Sequence, residues 1–199
     1  MPRKTDARQR AVRTAARLFQ RQGYHGTGLA QILEESGAPR GSFYHHFPGG
    51  KEQLAIEAIE EASHGVEALF AAASRRANVP SVFLRKLTRG LASWIKRSGF
   101  AEGSPVAILT AEATPGTPAL REACQRCYRN WRDLARGALE RSGMDSDRAH
   151  RLAVLIVSGL EGALLMSMAE LSVEPLATLG LELGQHLDLA LGRRRRPRL

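Results

Sequence analysis

Apolar residues recur at spacings of three and four along most of this chain, which is the pattern of helices that bury one face. Between residues 5 and 22, the apolar stripe includes Val12, Ala15 and Phe19, and arginines occupy much of the remaining surface. The strict alternation of apolar and polar residues that marks a strand is nearly absent. The pattern therefore predicts an all-α protein.

Glycine and proline predict where the helices begin and end. Gly23 and Gly37 suit the position after a helix, and Pro39 suits a first helical position, where no N–H is needed. Thr27 is a candidate cap for the second helix. The predicted helices cover residues 5–22, 28–36, 39–46, 51 to the mid-70s, 81–98, 106–113, 118–142, 147–171 and 175–192.

The composition is that of a chain with a real core. Of its 199 residues, 43% are hydrophobic and two are cysteines, which excludes a disulfide scaffold and suits a reducing compartment. The first residues lack the apolar segment of a signal peptide. The most apolar stretch, 152–171, is interrupted by Glu161 and Glu170, so we expect no membrane span and a cytoplasmic protein.

Charge is distributed unevenly along the chain. Residues 1–51 carry nine Lys and Arg against three Asp and Glu, a net charge of +6. Residues 52–192 carry a net charge of −2, and residues 193–199, a tail predicted to be disordered, carry +5. A basic first quarter joined to a nearly neutral body indicates a polyanion-binding module on a carrier domain.

The first three predicted helices have the features of a helix-turn-helix unit, with a tight turn at residues 37–39. Phe43 and Phe47 are four apart, so both can anchor the third helix to a small core. Polar side chains are left to point outward, where they can bond bases and phosphates. These outward residues are Arg40, Ser42, Tyr44 and His45.

The motif residues resemble those of the TetR/AcrR family of bacterial transcriptional regulators over roughly residues 8–60. They are Gly23-Tyr24, Thr27, Ile32, Gly37, the run from Gly41 to Phe47, and Lys51-Glu52-Gln53-Leu54. The stretches 38–42, 48–51 and 103–106 are similar to a branch that includes repressors of drug-efflux and flavonoid-response genes. The resemblance implies an all-helical homodimer with an N-terminal DNA-binding domain and a C-terminal effector domain.

The resemblance also implies a set of DNA contacts. Thr27 would cap the second helix beside a phosphate, and Lys51 would begin the fourth helix against another. The full set is Thr27, Arg40, Gly41, Ser42, Tyr44, His45, His46 and Lys51. The chain departs from the family pattern at Pro39, where serine is usual, and in a turn at residues 48–50 that is one residue longer. Arg3, Lys4 and Arg8 are candidates for an arm beside the DNA backbone.

Two pairs of side chains have alternative interpretations. His45 and His46 could be a metal pair, but adjacent helical residues point ~100° apart and no third ligand lies at zinc spacing. Cys124 and Cys127 share a helix face, so a redox switch is conceivable beside the simpler interpretation as two half-buried thiols. We predict neither a metal site nor a cofactor.

The body contains candidates for an effector pocket. Trp94, Tyr128 and Trp131 could line such a pocket or belong to an ordinary core. Glu112 and Glu161 each lie in an apolar run, and a buried carboxylate needs an arginine or a ligand as its partner. The candidate pocket comprises Trp94, Ile108, Glu112, Tyr128, Trp131 and Glu161.

The last two helices suggest a dimer interface. Small residues four apart let another helix approach closely, and leucines repeat along the final helix, so two helices from each chain could form a four-helix contact. Packing within one chain is the alternative. The candidate interface comprises Ser158, Gly159, Gly162, Ala163, Leu176, Leu179, Leu183 and Leu187.

We therefore predict three regions: a helix-turn-helix domain at residues 1–50, joined by a long helix to an effector-binding and dimerisation domain at 51–192, and a basic tail at 193–199. The predicted function is a ligand-responsive regulator, a repressor that binds an inverted-repeat operator as a homodimer and is released by a small hydrophobic effector. An enzyme is the first alternative. The sequence argues against it, because it contains no nucleophile–base pair, metal motif or phosphate-binding loop. An architectural DNA protein without effector is the second.

Overall fold

The computed structural model describes residues 4–113 and 117–192, with side chains from residue 7 onward. Within these two stretches the chain forms nine α-helices and no β-strand, which confirms the all-α prediction. The helices are α1 Lys4–Gln22, α2 Leu29–Ser36, α3 Arg40–His46, α4 Gly50–Ser74, α5 Pro80–Arg97, α6 Pro105–Glu112, α7 Pro118–Arg141, α8 Ser146–Glu170 and α9 Glu174–Ala190. The predicted disordered tail lies outside the described residues.

Helix ends follow the local chemistry closely. Gly37 takes a left-handed conformation with φ 61°, as a glycine after a helix does, and its N–H bonds back into α2. Asp145 caps α8 by accepting a hydrogen bond from the Arg148 N–H. Pro39 is the N-cap of α3 rather than its first residue, so that prediction was one position early.

The predicted cap of α2 is wrong. The N-cap is Gly28, and no side chain caps it. Thr27 is fully buried, and its hydroxyl donates to the Gly23 carbonyl at 2.6 Å. The hydroxyl thus closes the turn between α1 and α2.

The described residues form two compact units, each described by itself. The first contains residues up to 65 and those from 101 to 128. Its core includes Phe19, Ile32, Phe43, Phe47 and Leu54, all nearly inaccessible to solvent. Helix α1 contacts both α2 and α6 in this unit, so it packs against the helix-turn-helix on one side and α6 on another.

The second unit contains residues 66–100 and those from 129 onward. In it α9 packs along α5, and a Cβ added at Gly184 would lie only 2.9 Å from the Cα of Ser81. The Asp188 carboxylate accepts a hydrogen bond from the Ser81 N–H at 3.0 Å, which caps the first turn of α5. Glycine is therefore required at position 184 for these two helices to approach.

One side of α8 packs against α9 and the other carries exposed apolar residues. Val154, Leu155, Leu165 and Met166 are exposed, Leu165 by 69%. By length and composition α8 could cross a membrane, with a mean hydropathy of 2.0 in a window that is 39% buried. The core helix of a soluble protein passes the same test, so this result does not overturn the expectation that α8 is not a membrane span.

Part of the predicted dimer interface lies inside the chain. Leu176 and Leu187 are buried, as is Ala163, and a Cβ added at Gly159 would lie 3.0 Å from Leu179. These positions form contacts within the protomer, which is the alternative stated above, and a subunit interface at them stays a prediction. A leucine repeat shows that a helix has an apolar face, but it does not show which neighbour covers that face.

The two cysteines are buried and do not form a disulfide. Burial raises the pKa of the Cys124 thiol, against a smaller opposing effect of a hydrogen bond with Thr110. A thiol of this kind is a poor nucleophile because little of it is thiolate at neutral pH.

Candidate nucleic-acid interface

The third helix is held to the first unit by two phenylalanines. Phe43 and Phe47 are 2% and 1% exposed, and their ring centroids lie 5.1 Å apart. A seven-residue helix has too few turns to be stable by itself, so this buried pair fixes its position. The opposite side of α3 is left facing outward.

That outward side is polar and largely uncovered. Arg40, Gly41, Tyr44 and His45 are exposed, and Tyr44 has 62% of its surface accessible. Tyr44 contacts the anchor through an edge-on ring contact of 5.2 Å with Phe43. An arginine, a phenol and an imidazole on one outward helix can reach phosphates and base edges in a major groove.

Two other predicted contacts on α3 already have partners within the chain. The Ser42 hydroxyl donates to the Pro39 carbonyl at 3.0 Å, which helps to close the first turn. His46 is half-buried, with its ring 5.4 Å from that of His45 and 6.5 Å from that of Phe47. Within the described stretches, no group of three or more His, Cys, Asp and Glu could hold a metal ion.

The Thr27 side chain has a partner within the chain. It is fully buried and its hydroxyl donates to the Gly23 carbonyl, so the implied contact of Thr27 with DNA stays a prediction. The first N–H groups of α2, which follow Gly28, have no partner within the helix and can still serve an anion.

Lys51 is half-buried and is held within the first unit. Its Nζ donates to the Tyr24 carbonyl at 2.6 Å and lies 4.3 Å from the centre of the Tyr24 ring. Burial lowers the pKa of Lys51, while the charge of Glu112 raises it. Burial also raises the pKa of the Tyr24 phenol, with a further contribution from Glu52.

The arginines of α1 bind acidic and carbonyl groups of the same unit. Arg8, a candidate for the DNA arm, pairs with Glu57 at 2.8 Å and lies 5.3 Å above the Phe47 ring. Arg17 pairs with Glu35 at 2.8 Å, and Arg10 donates to the Ser36 carbonyl at 3.0 Å. Much of the N-terminal positive charge is thus used to join α1 to its neighbours. The side chains of Arg3 and Lys4 lie outside the described residues.

The six predicted pocket residues divide between the two units, so the pocket stays a prediction. Ile108, Glu112 and Tyr128 belong to the first unit, and the remaining three to the second. Trp131 is buried and Trp94 is half-buried. Glu112 has a partner in its own unit, since its carboxylate accepts a hydrogen bond from the His25 N–H at 2.8 Å.

Two family models match complementary parts of the chain. The model described as bacterial regulatory proteins of the tetR family matches residues 11–58. The model of the C-terminal domain of LmrA/YxaF-like transcriptional regulators matches residues 80–181, about half of the chain. The chain belongs to the TetR family. This confirms the family resemblance that the motif at residues 23–54 indicated.

Individual relatives of this TetR-family chain agree along nearly its whole length. It is 38% identical to the HTH-type transcriptional regulator LmrA of Bacillus subtilis, over 86% of this chain and 91% of that protein. A solved structure of a regulatory protein TetR from Rhodobacter sphaeroides is 27% identical, with a TM-score of 0.80 over 90% of this chain and 98% of that one. The fold is also that of a CifR mutant solved with a 26-base-pair operator duplex, at 24% identity and a TM-score of 0.76, covering 90% of this chain and 95% of that one.

The TetR-family chain is accordingly a DNA-binding, helix-turn-helix transcriptional regulator. Its relatives are named as regulators, which is not a class of enzymes. The outward residues of α3 lie within the part of the chain that the tetR model matches.

Proposed function

We propose that this protein is a cytoplasmic, ligand-responsive repressor, not an enzyme, that binds an inverted-repeat operator as a homodimer and is released by a small hydrophobic effector. Residues 1–50 act as the DNA-binding domain and residues 51–192 as the effector and dimerisation body. The observation that carries the proposal is the polar outward side of α3, which the buried pair Phe43 and Phe47 holds in place.

The proposed DNA contacts follow from exposure. Arg40 and His45 are exposed and can donate to base edges or phosphates, and 62% of the Tyr44 surface is accessible. Gly41 is exposed, and no atom lies within 4 Å of the position that a Cβ would take. Helix α3 can therefore approach the DNA backbone closely at this residue. Ser42, His46 and Lys51 complete the set, each from a half-buried position.

A second copy of the chain is the partner we propose for the exposed side of α8. Val154, Leu155, Ser158, Gly162, Leu165 and Met166 recur at spacings of three and four, so they lie on one side of the helix. Exposed leucines on α9, Leu181 and Leu189, add to the apolar surface of the second unit. A large apolar surface of this kind marks a contact site. The sequence analysis did not identify most of this surface. The available signal was that apolar residues occupy almost the whole circumference of α8.

A dimer explains how a short recognition helix could reach adequate specificity. One α3 reads only a few base pairs, whereas two related by a twofold axis read two half-sites about one helical turn, or a multiple of it, apart. CifR was solved on an operator duplex, and its fold is shared by this chain. An inverted repeat is the DNA symmetry that matches a twofold protein.

Effector response is the second half of the proposal. The only two tryptophans in the chain, Trp94 and Trp131, both lie in the proposed body, as do the other candidate pocket residues Ile108, Glu112, Tyr128 and Glu161. Helix α4, Gly50–Ser74, begins at the last residue of the proposed DNA-binding domain and continues into the body. We propose that this helix transmits the signal. Coupling of ~1–3 kcal/mol would weaken DNA binding about 5- to 150-fold.

The DNA half of the proposal is tested by selection from random duplexes. Wild-type protein is incubated with the library, and the bound fragments are sequenced. We expect an inverted repeat to be enriched. Recovery of fragments with no common sequence would favour the architectural alternative and contradict the repressor proposal.

The effector half is tested by fluorescence. Small hydrophobic compounds that raise the melting temperature, as a ligand of the native state does, are titrated while tryptophan emission is recorded. We expect at least one to change the emission and to release a labelled duplex of the selected sequence. If compounds change the emission but none changes DNA affinity, the ligand-responsive part of the proposal fails.

A further inference from the structure

The second unit contains a basic region that the nearly neutral charge of the whole body conceals. Residues 68–100 include seven Lys and Arg and no Asp or Glu, whereas residues 52–192 together carry a net charge of −2. All of residues 68–100 belong to the second unit. Two of the seven, Arg75 and Arg76, follow the end of α4, and the other five lie on α5. The positive charge of this stretch is therefore concentrated on one helix.

The five basic residues of α5 lie on one side of the helix. At about 3.6 residues per turn they fall within about 120° of its circumference, and from Arg85 to Arg97 the axis rises about 18 Å. All five are exposed, while Leu84, Leu87 and Leu91 on the opposite side are buried. We call this surface the α5 basic stripe. It comprises Arg85, Lys86, Arg89, Lys96 and Arg97.

No carboxylate of the described residues forms an ion pair with the α5 basic stripe. The Lys86 Nζ donates to the Arg75 carbonyl at 2.9 Å, and the Arg97 guanidinium donates to the Ser93 hydroxyl at 2.8 Å, so both acceptors are neutral. The arginines of α1 differ, because several of them pair with carboxylates of their own unit. The charge of the stripe is thus left for a partner outside the described chain.

The arrangement of the stripe opposes folding instead of assisting it. Arg85 and Arg89 are four residues apart and Lys86 and Arg89 three apart, and like charges at these spacings destabilise a helix. A surface that serves solubility alone mixes both signs of charge and avoids this repulsion. A single sign along a rigid helix is the arrangement that attracts a polyanion.

Duplex DNA is the polyanion that the chemistry of the stripe fits best. Over about 18 Å one strand of a duplex carries about five phosphates, and the stripe offers five cations over the same length. A contact with a protein usually has an apolar centre, and a helix on a membrane inserts an apolar side. Helix α5 has no exposed large hydrophobic residue, and its apolar side packs along α9. Contacts with phosphates need only cations and polar groups.

We propose that the α5 basic stripe is a second binding surface for double-stranded DNA, which contacts phosphates without regard to sequence. It goes beyond the proposed function, because it requires neither an inverted repeat nor an effector. It also differs in place, since α3 lies in the first unit and the stripe in the second.

The direct test is lysine acetylation followed by mass spectrometry, because two of the four lysines of the chain, Lys86 and Lys96, lie on the stripe. Full-length wild-type protein is labelled alone and with an excess of a duplex that lacks the selected sequence. At ~50 mM salt we expect DNA to slow acetylation of both lysines at least about threefold. Unchanged rates at both positions would overturn the proposal, and this result needs no variant.

A matched pair of variants separates the stripe from the general effect of charge. Arg85→Gln, Arg89→Gln and Lys96→Gln are combined, and Lys86 reports the remaining protection. The DNA concentration that half-protects Lys86 should rise at least about tenfold, because three phosphate contacts are lost.

The control combines three exposed arginines of the same unit outside α5, namely Arg129→Gln, Arg141→Gln and Arg151→Gln. It loses the same charge, and we expect a shift in half-protection of less than about twofold. Equal shifts in the two variants would overturn the proposal. Circular dichroism melting checks that both variants are folded, as expected when only exposed side chains are replaced.

The choice of DNA is tested with two other polyanions in the same titration. Polyglutamate and vesicles that contain phosphatidylserine are compared with the duplex at equal total charge. We expect the duplex to half-protect Lys86 at a charge concentration at least about tenfold lower than either. Equal or better protection by polyglutamate or by vesicles would overturn the proposal. If the duplex protects both lysines but wild-type protein enriches no DNA sequence, the proposed repressor function fails and the second surface stands.

Discussion

Helices α3 and α8 both present an uncovered side, and the two sides have opposite chemistry. α3 is seven residues long, with an arginine, a phenol and an imidazole facing outward. α8 is 25 residues long, and its uncovered side carries leucine, valine and methionine. Each helix is held by its buried side in the ordinary way. The partner of each is indicated by the side that the rest of the chain leaves uncovered: a polyanion for α3 and a second apolar surface for α8.

The largest effect is expected when a charge is placed on the apolar side of α8. Leu165→Glu should give monomers and weaken binding to the selected duplex by about 10²–10⁴, because the second half-site no longer adds to affinity. Sedimentation velocity measures the first effect, and fluorescence anisotropy the second. Leu165→Met is the control that keeps the surface apolar. A Leu165→Glu dimer with wild-type affinity would show that α8 does not form the contact.

The polar side of α3 is tested by removing the exposed side chain of Tyr44. Tyr44→Ala should weaken DNA binding about 5- to 150-fold, the ~1–3 kcal/mol of one interface contact. It should not affect the dimer or the melting temperature, since 62% of the Tyr44 surface is accessible. The contrasting variant is Phe43→Ala, which should lower the free energy of unfolding by about 3–5 kcal/mol because it empties the anchor of the same helix. Wild-type affinity in Tyr44→Ala would exclude this side as the DNA contact.

Ionic strength should act on one surface and not on the other. Raising salt from ~100 to ~150 mM should weaken DNA binding about tenfold if the two protomers together contact about six phosphates. The dimer should be unaffected because its proposed contact is apolar. Anisotropy and sedimentation in the same buffers measure the two responses. A dimer that dissociates with added salt would require charged contacts that the α8 side does not provide.

The smallest effect is expected at Ser42. Its hydroxyl already donates to the Pro39 carbonyl, so Ser42→Ala should change DNA affinity by no more than about threefold. Ser42→Thr keeps the hydroxyl and serves as the control in the same anisotropy assay. A loss as large as that expected of Tyr44→Ala would show that the hydroxyl leaves Pro39 to bind DNA directly.

The helices and the anchor of α3 could be predicted from the sequence because both depend on local spacing. The positions of Gly37 and Asp145, and the four-residue interval between Phe43 and Phe47, determine where helices end and which side is buried. Such features involve neighbours within a few residues. The sequence therefore predicted the architecture and the outward side of α3 correctly.

The polar partners could not be predicted in the same way. Thr27 turns back to Gly23, Glu112 reaches the N–H of His25, and Lys51 bonds the Tyr24 carbonyl. The last two contacts join residues 87 and 27 positions apart. A sequence shows that a lysine or glutamate needs a partner, but the packing of distant helices decides which partner it receives.

Which neighbour covers the small residues of α8 could not be predicted for a related reason. Gly159 and Ala163 are small, and small residues permit close approach of any helix, from the same chain or another. The structure places α9 of the same chain there, since a Cβ at Gly159 would touch Leu179. The proposed dimer interface therefore uses a different side of α8, the one that carries Leu155, Leu165 and Met166.

The central claim is that α3 binds DNA while α8 joins two chains, and the stoichiometry of the complex tests both at once. Native mass spectrometry is applied to wild-type protein with the selected duplex and with a duplex that carries only one half-site. We expect an even number of chains on the full duplex and no comparable complex on the half-site duplex at the same concentrations. A single chain bound to each duplex, with equal affinity for both, would contradict the account.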